Sequence, residues 1–343
     1  MELQVFGLPG PMSTLQATAT GRSMYMHGST RGSQKEVREL TTAISFSGLT
    51  KRYGARTAIE DVTFSVQFGE VTGFFGPNGA GKTTCLRILA GLVAPDRGTA
   101  TVLGSPFAEL PGPARQVGVA FDDAGAHPGH TGRQHLLATV TEAGVPARRV
   151  DEVLAMTDIE DVAERKIETC SQGTRHRLGL ATALLGDPRV LILDEPAGGL
   201  GPHGVRQLRT LLRRLADQGR AVLLSSRTLA DVEQTADRVV VLHKRVLFTG
   251  SVEALRRRSF PAGGALRVRT SDDARMAAEL ASSAGDIRSE AAHGVLVQGA
   301  SAETILATAA AIGVEVYELA EPVASLEEEF CRLLNDTAPG GAR

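Results

Sequence analysis

Between an apolar run, Val71–Phe75, and a stretch with helical periodicity, Thr83–Leu92, the chain reads Gly76-Pro-Asn-Gly-Ala-Gly81-Lys82-Thr83. Glycines at 76, 79 and 81 let the backbone curl until successive N–H groups face one point. A helix starting near Lys82 aims the positive end of its dipole at the same point. Such a loop cradles phosphate oxygens: Lys82 supplies a compact cation for the β- and γ-phosphates, and Thr83 a hydroxyl for Mg2+. The pattern G-x-x-x-x-G-K-[ST] needs a strand before it and a helix after it, and both flanks comply. The chain is thereby committed to a strand–loop–helix unit and to an α/β fold.

The surrounding pattern agrees. Ala43–Ser47 and Val62–Val66 alternate like strands upstream of the cradle. Downstream, the strands Val190–Leu193, Ala221–Ser225 and Arg238–Leu242 are separated by the helical stretches Gly204–Ala216 and Leu229–Thr235. That alternation predicts parallel strands with helices on both faces. Residues 1–42 are rich in Gly, Ser, Thr and Met without apolar periodicity and read as a disordered extension. Met12, Met24 and Met26 leave later translation starts open, and the secretory pattern of a charged start and an apolar core is absent. Arg256–Gly264 turns to Arg, Ser, Pro and Gly, as linkers do. Beyond it come a strand Leu266–Arg269, a helix Asp272–Ser283, strands Ile287–Glu290 and Gly294–Gln298, a helix Ala302–Ala311 and a strand Val314–Leu319. This β-α-β-β-α-β order is ferredoxin-like. A last helix is expected from Ser325, capped by Ser325 and Glu328, with Leu326, Phe330, Leu333 and Leu334 on its apolar face. The expected division is residues 1–42 as extension, 43–256 as nucleotide-binding domain and 257–343 as a small α+β accessory domain.

Composition narrows the function. The 343 residues are 42% hydrophobic, enough for sizeable cores, and a net charge of -2 argues against a nucleic-acid surface as the main role. No apolar run approaches a membrane span, so a membrane link is expected through a partner. Cys85, Cys170 and Cys331 are odd in number and far apart, which favours small buried thiols in a reducing compartment over disulfides. His127, His130 and His135 are irregularly spaced for metal ligation and suit a surface contact instead.

Val190-Leu-Ile-Leu-Asp194-Glu195 is an apolar strand ending in two acids. Asp194 at that end holds Mg2+ through water in chains with such a cradle, and Glu195 is placed to polarise an attacking water.

With these motifs in order, residues 43–256 resemble the nucleotide-binding subunit of an ATP-binding cassette (ABC) transporter, a P-loop NTPase. The resemblance implies ATP and Mg2+ as ligands. It puts Tyr53 against the adenine and Gly76, Asn78, Gly79, Gly81, Lys82, Thr83 and Thr84 around the phosphates. Cys170-Ser171-Gln-Gly173-Thr174 stands where the family has Leu-Ser-Gly-Gly-Gln, so Ser171 and Gly173 would face nucleotide bound by the opposite subunit. Two subunits, identical or different, would sandwich ATP and pass their motion to a separate permease on the inner face of the cell membrane. His127-Pro-Gly-His-Thr-Gly-Arg-Gln-His-Leu136, Gly179–Pro188 and Ser325-Leu-Glu-Glu-Glu-Phe330 resemble the drug- and antibiotic-exporting group.

Three positions depart from that family's catalytic pattern. Asp122 replaces a glutamine that touches Mg2+ and the attacking water; Gly201 replaces an aspartate of a loop that crosses the dimer interface; Arg227 replaces a histidine. Arginine only donates hydrogen bonds. Arg227 can stabilise the γ-phosphate, or pair with Glu195 and occupy the base. The departures suggest slow turnover and keep a second function open, an ATP-dependent regulatory switch on a soluble partner. The accessory domain is open between ligand sensor, dimerisation element and packing cap, and the last helix between docking on its own domain and on a twin subunit.

Overall fold

A computed structural model of the protein describes residues 42–121, 125–259, 265–283, 287–290 and 294–320, together with Phe330, Leu333 and Leu334. The expected disordered extension, Asp122, Cys331 and the cap of the last helix at Ser325 and Glu328 lie outside the described residues, apart from Thr42, which opens the first strand.

Runs of apolar residues on both faces of a strand demand cover on both sides. The strands β3 (Val71–Phe75), β6 (Val190–Leu193) and β7 (Ala221–Ser226) are buried at every position. With β5 (Val117–Ala120), β8 (Arg238–His243) and β9 (Arg245–Ser251) they form one sheet of order β5-β6-β7-β3-β8-β9, parallel except for the antiparallel edge strand β9. β3 lies inside this sheet, so the cradle leaves from its interior, where α/β sheets hold ligands at the carboxyl ends of strands.

The period-2 alternation divides the core in two. Val71, Phe75, Leu191, Leu193, Val222 and Leu224 face one side, and Phe74, Ile192, Leu223 and Val240 the other. The first side is covered by helices: α2 (Gly132–Ala143), α3 (Arg149–Thr157), α4 (Gln172–Leu184), α5 (Pro202–Asp217), α6 (Leu229–Thr235) and α7 (Val252–Ser259) all contribute to it. The second side carries a helix, as expected, and adds an antiparallel sheet to it. It is covered by α1 (Lys82–Leu89) together with an antiparallel sheet, β2-β1-β4, of β1 (Thr42–Tyr53), β2 (Arg56–Gln67) and β4 (Arg97–Val102). The reason is the hairpin: β1 and β2 run 12 residues each and pair Phe46 with Phe64, whose rings stack at 4.4 Å while Phe64 reaches Phe74 at 5.2 Å. Cys85 is fully buried in this core, and burial pushes its thiol pKa up; Cys170 is only half-buried.

The expected linker is partly helical. α7 carries the chain through Ser259, because Val252 and Leu255, three apart on one helical face, are buried against the core and Arg256 pairs with Glu233. After it, β10 (Ala265–Thr270), α8 (Asp273–Ser283), β11 (Ile287–Glu290), β12 (Gly294–Gln298), α9 (Ala302–Ile312) and β13 (Val316–Ala320) form an antiparallel sheet, β11-β12-β10-β13. This is the ferredoxin-like arrangement, with its own core of Val268, Met276, Leu280, Val295, Val297 and Ile305. Of the last helix, Phe330 meets Phe75 edge-on at 5.0 Å and Leu333 is buried in the same core, so this segment docks on its own nucleotide-binding region.

Candidate functional site

The cradle is fixed by close approach. A Cβ on Gly76 would lie 2.4 Å from the Leu242 carbonyl oxygen, and one on Gly81 2.2 Å from Ile59 Cγ2. Gly81 also caps α1 in the left-handed region, at φ 107°. Lys82 is buried and bent back: its Nζ donates to the Gly76 carbonyl at 2.6 Å and stands 3.7 Å from Glu195 Oε1. Burial pulls the Lys82 pKa below the ordinary lysine value; Glu195 and Asp194 oppose that shift and Arg227 adds to it.

Thr83, Asp194 and Glu195 meet beside this lysine. Thr83 Oγ1 donates to Asp194 Oδ2 at 2.8 Å. Ser225, fully buried at the end of β7, donates to Asp194 Oδ1 and accepts the Glu195 backbone N–H at 2.9 Å. Glu195 holds φ at 49°, a conformation that non-glycine residues seldom adopt and that clusters at functional sites. Its carboxylate forms an ion pair with Arg227, Oε2 lying 2.5 Å from Nε. Thr83 and Asp194 are two hard oxygen donors in contact, the donor type that Mg2+ takes alongside phosphate oxygens and water. Among the described residues no group of three or more His, Cys, Asp or Glu is assembled to cage a metal by protein ligands alone.

Two of the openings that Glu195 lines bear on the cradle residues. One, of about 410 Å3, is lined by Tyr53, Arg56, Asn78, Gly79, Lys82 and Thr84 among others. Tyr53 is 51% exposed at the end of β1, with Lys51 Nζ 5.5 Å above its ring. The other, of about 390 Å3, is lined by Thr83, Arg87, Gln172, His176, Asp194 and Arg227. The structure thus brings together Tyr53, Asn78, Gly79, Gly81, Lys82, Thr83, Thr84, Asp194, Glu195 and Arg227.

It does not bring Ser171 or Gly173 to the phosphate cradle of the same chain. Ser171 is exposed and caps α4, accepting from Thr174 N at 3.1 Å. Gly173 is buried against the loop after Glu195, where a Cβ would lie 2.6 Å from the Gly199 carbonyl oxygen. Gly201 faces open space. His127 and His130 lie beside each other with ring centroids 4.8 Å apart and planes tilted by 39°, whereas His135, in α2, turns inward with Nε2 3.2 Å from Thr182 Oγ1. Sequence reasoning missed Ser225, Arg56, Gln172 and the place of His176 on the second opening. Only Arg56 left a local trace, since it pairs with Tyr53 across the hairpin turn.

Comparison with known proteins comes to the same place. A family model described as "ABC transporter" matches residues 59–198, and one described as a domain of unknown function matches residues 264–327. The chain is 37% identical over 209 residues to the uncharacterized ABC transporter ATP-binding protein YhcH of Bacillus subtilis, covering 60% of this chain and 68% of that protein. It is 34% identical over 255 residues to the Nod factor export ATP-binding protein I of Mesorhizobium japonicum, covering 72% and 74%. The bacitracin transport ATP-binding protein BcrA of Bacillus licheniformis is 34% identical over 208 residues, covering 60% and 68%. Among solved structures, an ATP-binding subunit of an ABC transporter superposes with a TM-score of 0.58 at 29% identity, covering 63% of this chain and 93% of that one.

Proposed function

The chain belongs to the family of ABC transporter ATP-binding proteins, and on that premise we propose that it binds MgATP and energises an exporter through a separate transmembrane permease. One observation carries the reading. Lys82, Thr83, Asp194 and Glu195 come from two distant stretches of sequence and form one contact cluster at the ends of β3 and β6. Relatives named for Nod factor export and bacitracin transport support the export direction. No helix among the described residues is long and apolar enough to cross a membrane, and attachment to the inner face of the membrane runs through the permease.

In this reading Tyr53 stacks on the adenine, and the backbone of Gly76, Asn78, Gly79 and Gly81 surrounds the phosphates with help from Thr84. Lys82 exchanges its carbonyl acceptor for β- and γ-phosphate oxygens. Thr83 and Asp194 hold Mg2+, with Asp122, outside the described residues, as a further contact to metal and water. Mg2+ supplies neutralisation of the developing phosphate charge. Glu195 accepts a proton from water as its oxygen adds to the γ-phosphorus. The bond to the β,γ-bridging oxygen breaks with its electron pair leaving on ADP, and inorganic phosphate departs. Ser171 and Gly173 close over nucleotide held by a second subunit, either another copy or a related partner. An exposed Ser171 capping a helix N-terminus fits that role.

A second reading, a regulatory switch of low turnover, draws on the ion pair between Arg227 and Glu195. Calorimetric titration with MgATP, run beside light scattering, tests the shared premise. We expect saturable binding with a shift to dimer, and a Lys82→Ala chain weakened at least about tenfold, as loss of a buried charged contact implies. A wild-type chain that neither binds nor dimerises removes both readings. Co-purification with the co-expressed permease separates them.

A further inference from the structure

The Glu195 carboxylate has both oxygens engaged by cations of its own chain. Oε2 forms an ion pair with Arg227 Nε at 2.5 Å, and Oε1 lies 3.7 Å from Lys82 Nζ. This is a built contact on both sides. Glu195 is held in its left-handed conformation with its N–H on the buried Ser225 hydroxyl. Arg227 stands at the tip of a turn closed by Ser226, whose Oγ donates to the Thr228 carbonyl and accepts from the Thr228 N–H, both at 3.0 Å. The backbone therefore fixes where the two side chains start, and they converge. The Glu195 side chain is 24% exposed and that of Lys82 5%, so the pair belongs to a three-charge network at the floor of the cavity, unlike an isolated surface bridge.

A carboxylate oxygen with a guanidinium 2.5 Å away is not open to an attacking water. Arginine also cannot relax the contact by deprotonating, as a histidine can. The Arg227 side chain is itself 55% exposed and free to swing away when a stronger anion arrives.

We propose that Arg227 restrains the general base: in the resting chain it occupies Glu195, and the γ-phosphate frees Glu195 by drawing both Arg227 and Lys82 to itself. This deepens the proposed function and rests on it, since Glu195 must be the base for ATP hydrolysis. Arg227 acts here through Glu195 and is a positioning residue. The departure from the family's histidine then sets how much of the bound ATP is committed to hydrolysis, while binding itself proceeds.

Steady-state hydrolysis and calorimetric MgATP binding, measured on the full chain and on Arg227→His, Arg227→Gln, Glu195→Gln and Arg227→His/Glu195→Gln, test this. Releasing the base is expected to raise kcat about tenfold in both Arg227→His and Arg227→Gln, a modest part of what general-base catalysis supplies. KM for ATP should move far less than kcat. The gain should vanish when Glu195→Gln is added, which general loosening of the loop does not predict. A fall in kcat in both single variants, with binding intact, overturns the restraint and makes Arg227 a contributor to the transition state. Binding intact with kcat unmoved in both overturns it as well. A wild-type chain that fails to bind MgATP instead brings down the reading of the site, and the restraint with it.

Discussion

Ser225 shows what a single residue does at this site and why a sequence hides it. Its hydroxyl is fully buried, donates to Asp194 and accepts from the Glu195 N–H, so one side chain sets the orientation of both acids. Its removal leaves a buried carboxylate oxygen and a backbone N–H without this partner, at a cost of about 1–3 kcal/mol. Ser225→Ala is therefore expected to lower unfolding free energy by that amount in urea melts, and a loss under about 0.5 kcal/mol contradicts the bonding described. Lys82, Thr83, Asp194 and Glu195 were legible because each belongs to a contiguous pattern whose chemistry is local. Ser225 was not, because its role depends on the parallel register that sets Leu193 beside Leu224, and a register between distant strands is written nowhere in one segment. Arg227 lies between these cases. The sequence left it with either the γ-phosphate or Glu195, and in the structure it pairs with Glu195.

At the scale of elements, continuous apolar runs translate directly. β3 and β6 match their expected bounds residue for residue, since a short apolar run walled by polar residues has few alternatives, and β12 and the more polar α6 and β11 match as well. The long β1–β2 hairpin was harder to read, because register shifts after Phe46 and Leu49 break its alternation and made two 12-residue strands look like short ones. α2 was readable in principle: Thr131 and Gln134 form a capping box, a pattern visible in the sequence. The start of α5 carries a prediction of its own. Gly201 is its N-cap, has ordinary extended dihedrals and meets nothing within 4 Å where a side chain would project. Gly201→Asp, which restores the family's residue, should therefore fit and cap the helix, raising stability by a few tenths of a kcal/mol, about 0.3. Thermal unfolding that shows a loss contradicts the open geometry. Analytical ultracentrifugation with MgATP on the same variant reads whether this loop contributes at the subunit interface.

At the scale of the whole molecule, the ferredoxin-like segment and the nucleotide-binding region are joined by more than one connection. Beyond β13 in sequence, Phe330 and Leu333 enter the core beneath β3. Phe330 meets Phe75, the last residue of β3, and Phe75 is followed directly by Gly76 of the cradle. The sequence supplied the amphipathic face of this helix but left its docking open between the chain itself and a twin, because an apolar stripe does not name what it covers. Phe330 is half-buried, so truncating it removes part of an aromatic packing term and part of a transfer term, together about 2 kcal/mol. Phe330→Ala should lower the unfolding midpoint of the whole nucleotide-binding region, followed by hydrogen exchange at the β3 amides. Leu333→Ala should act on the same core, and the two should combine non-additively because they share it. If Phe330→Ala instead leaves β3 protected and merely raises exchange in β10–β13, the helix belongs to the ferredoxin-like segment alone. The coupling of that segment to the cradle is then to be sought through α7, which precedes β10 in sequence.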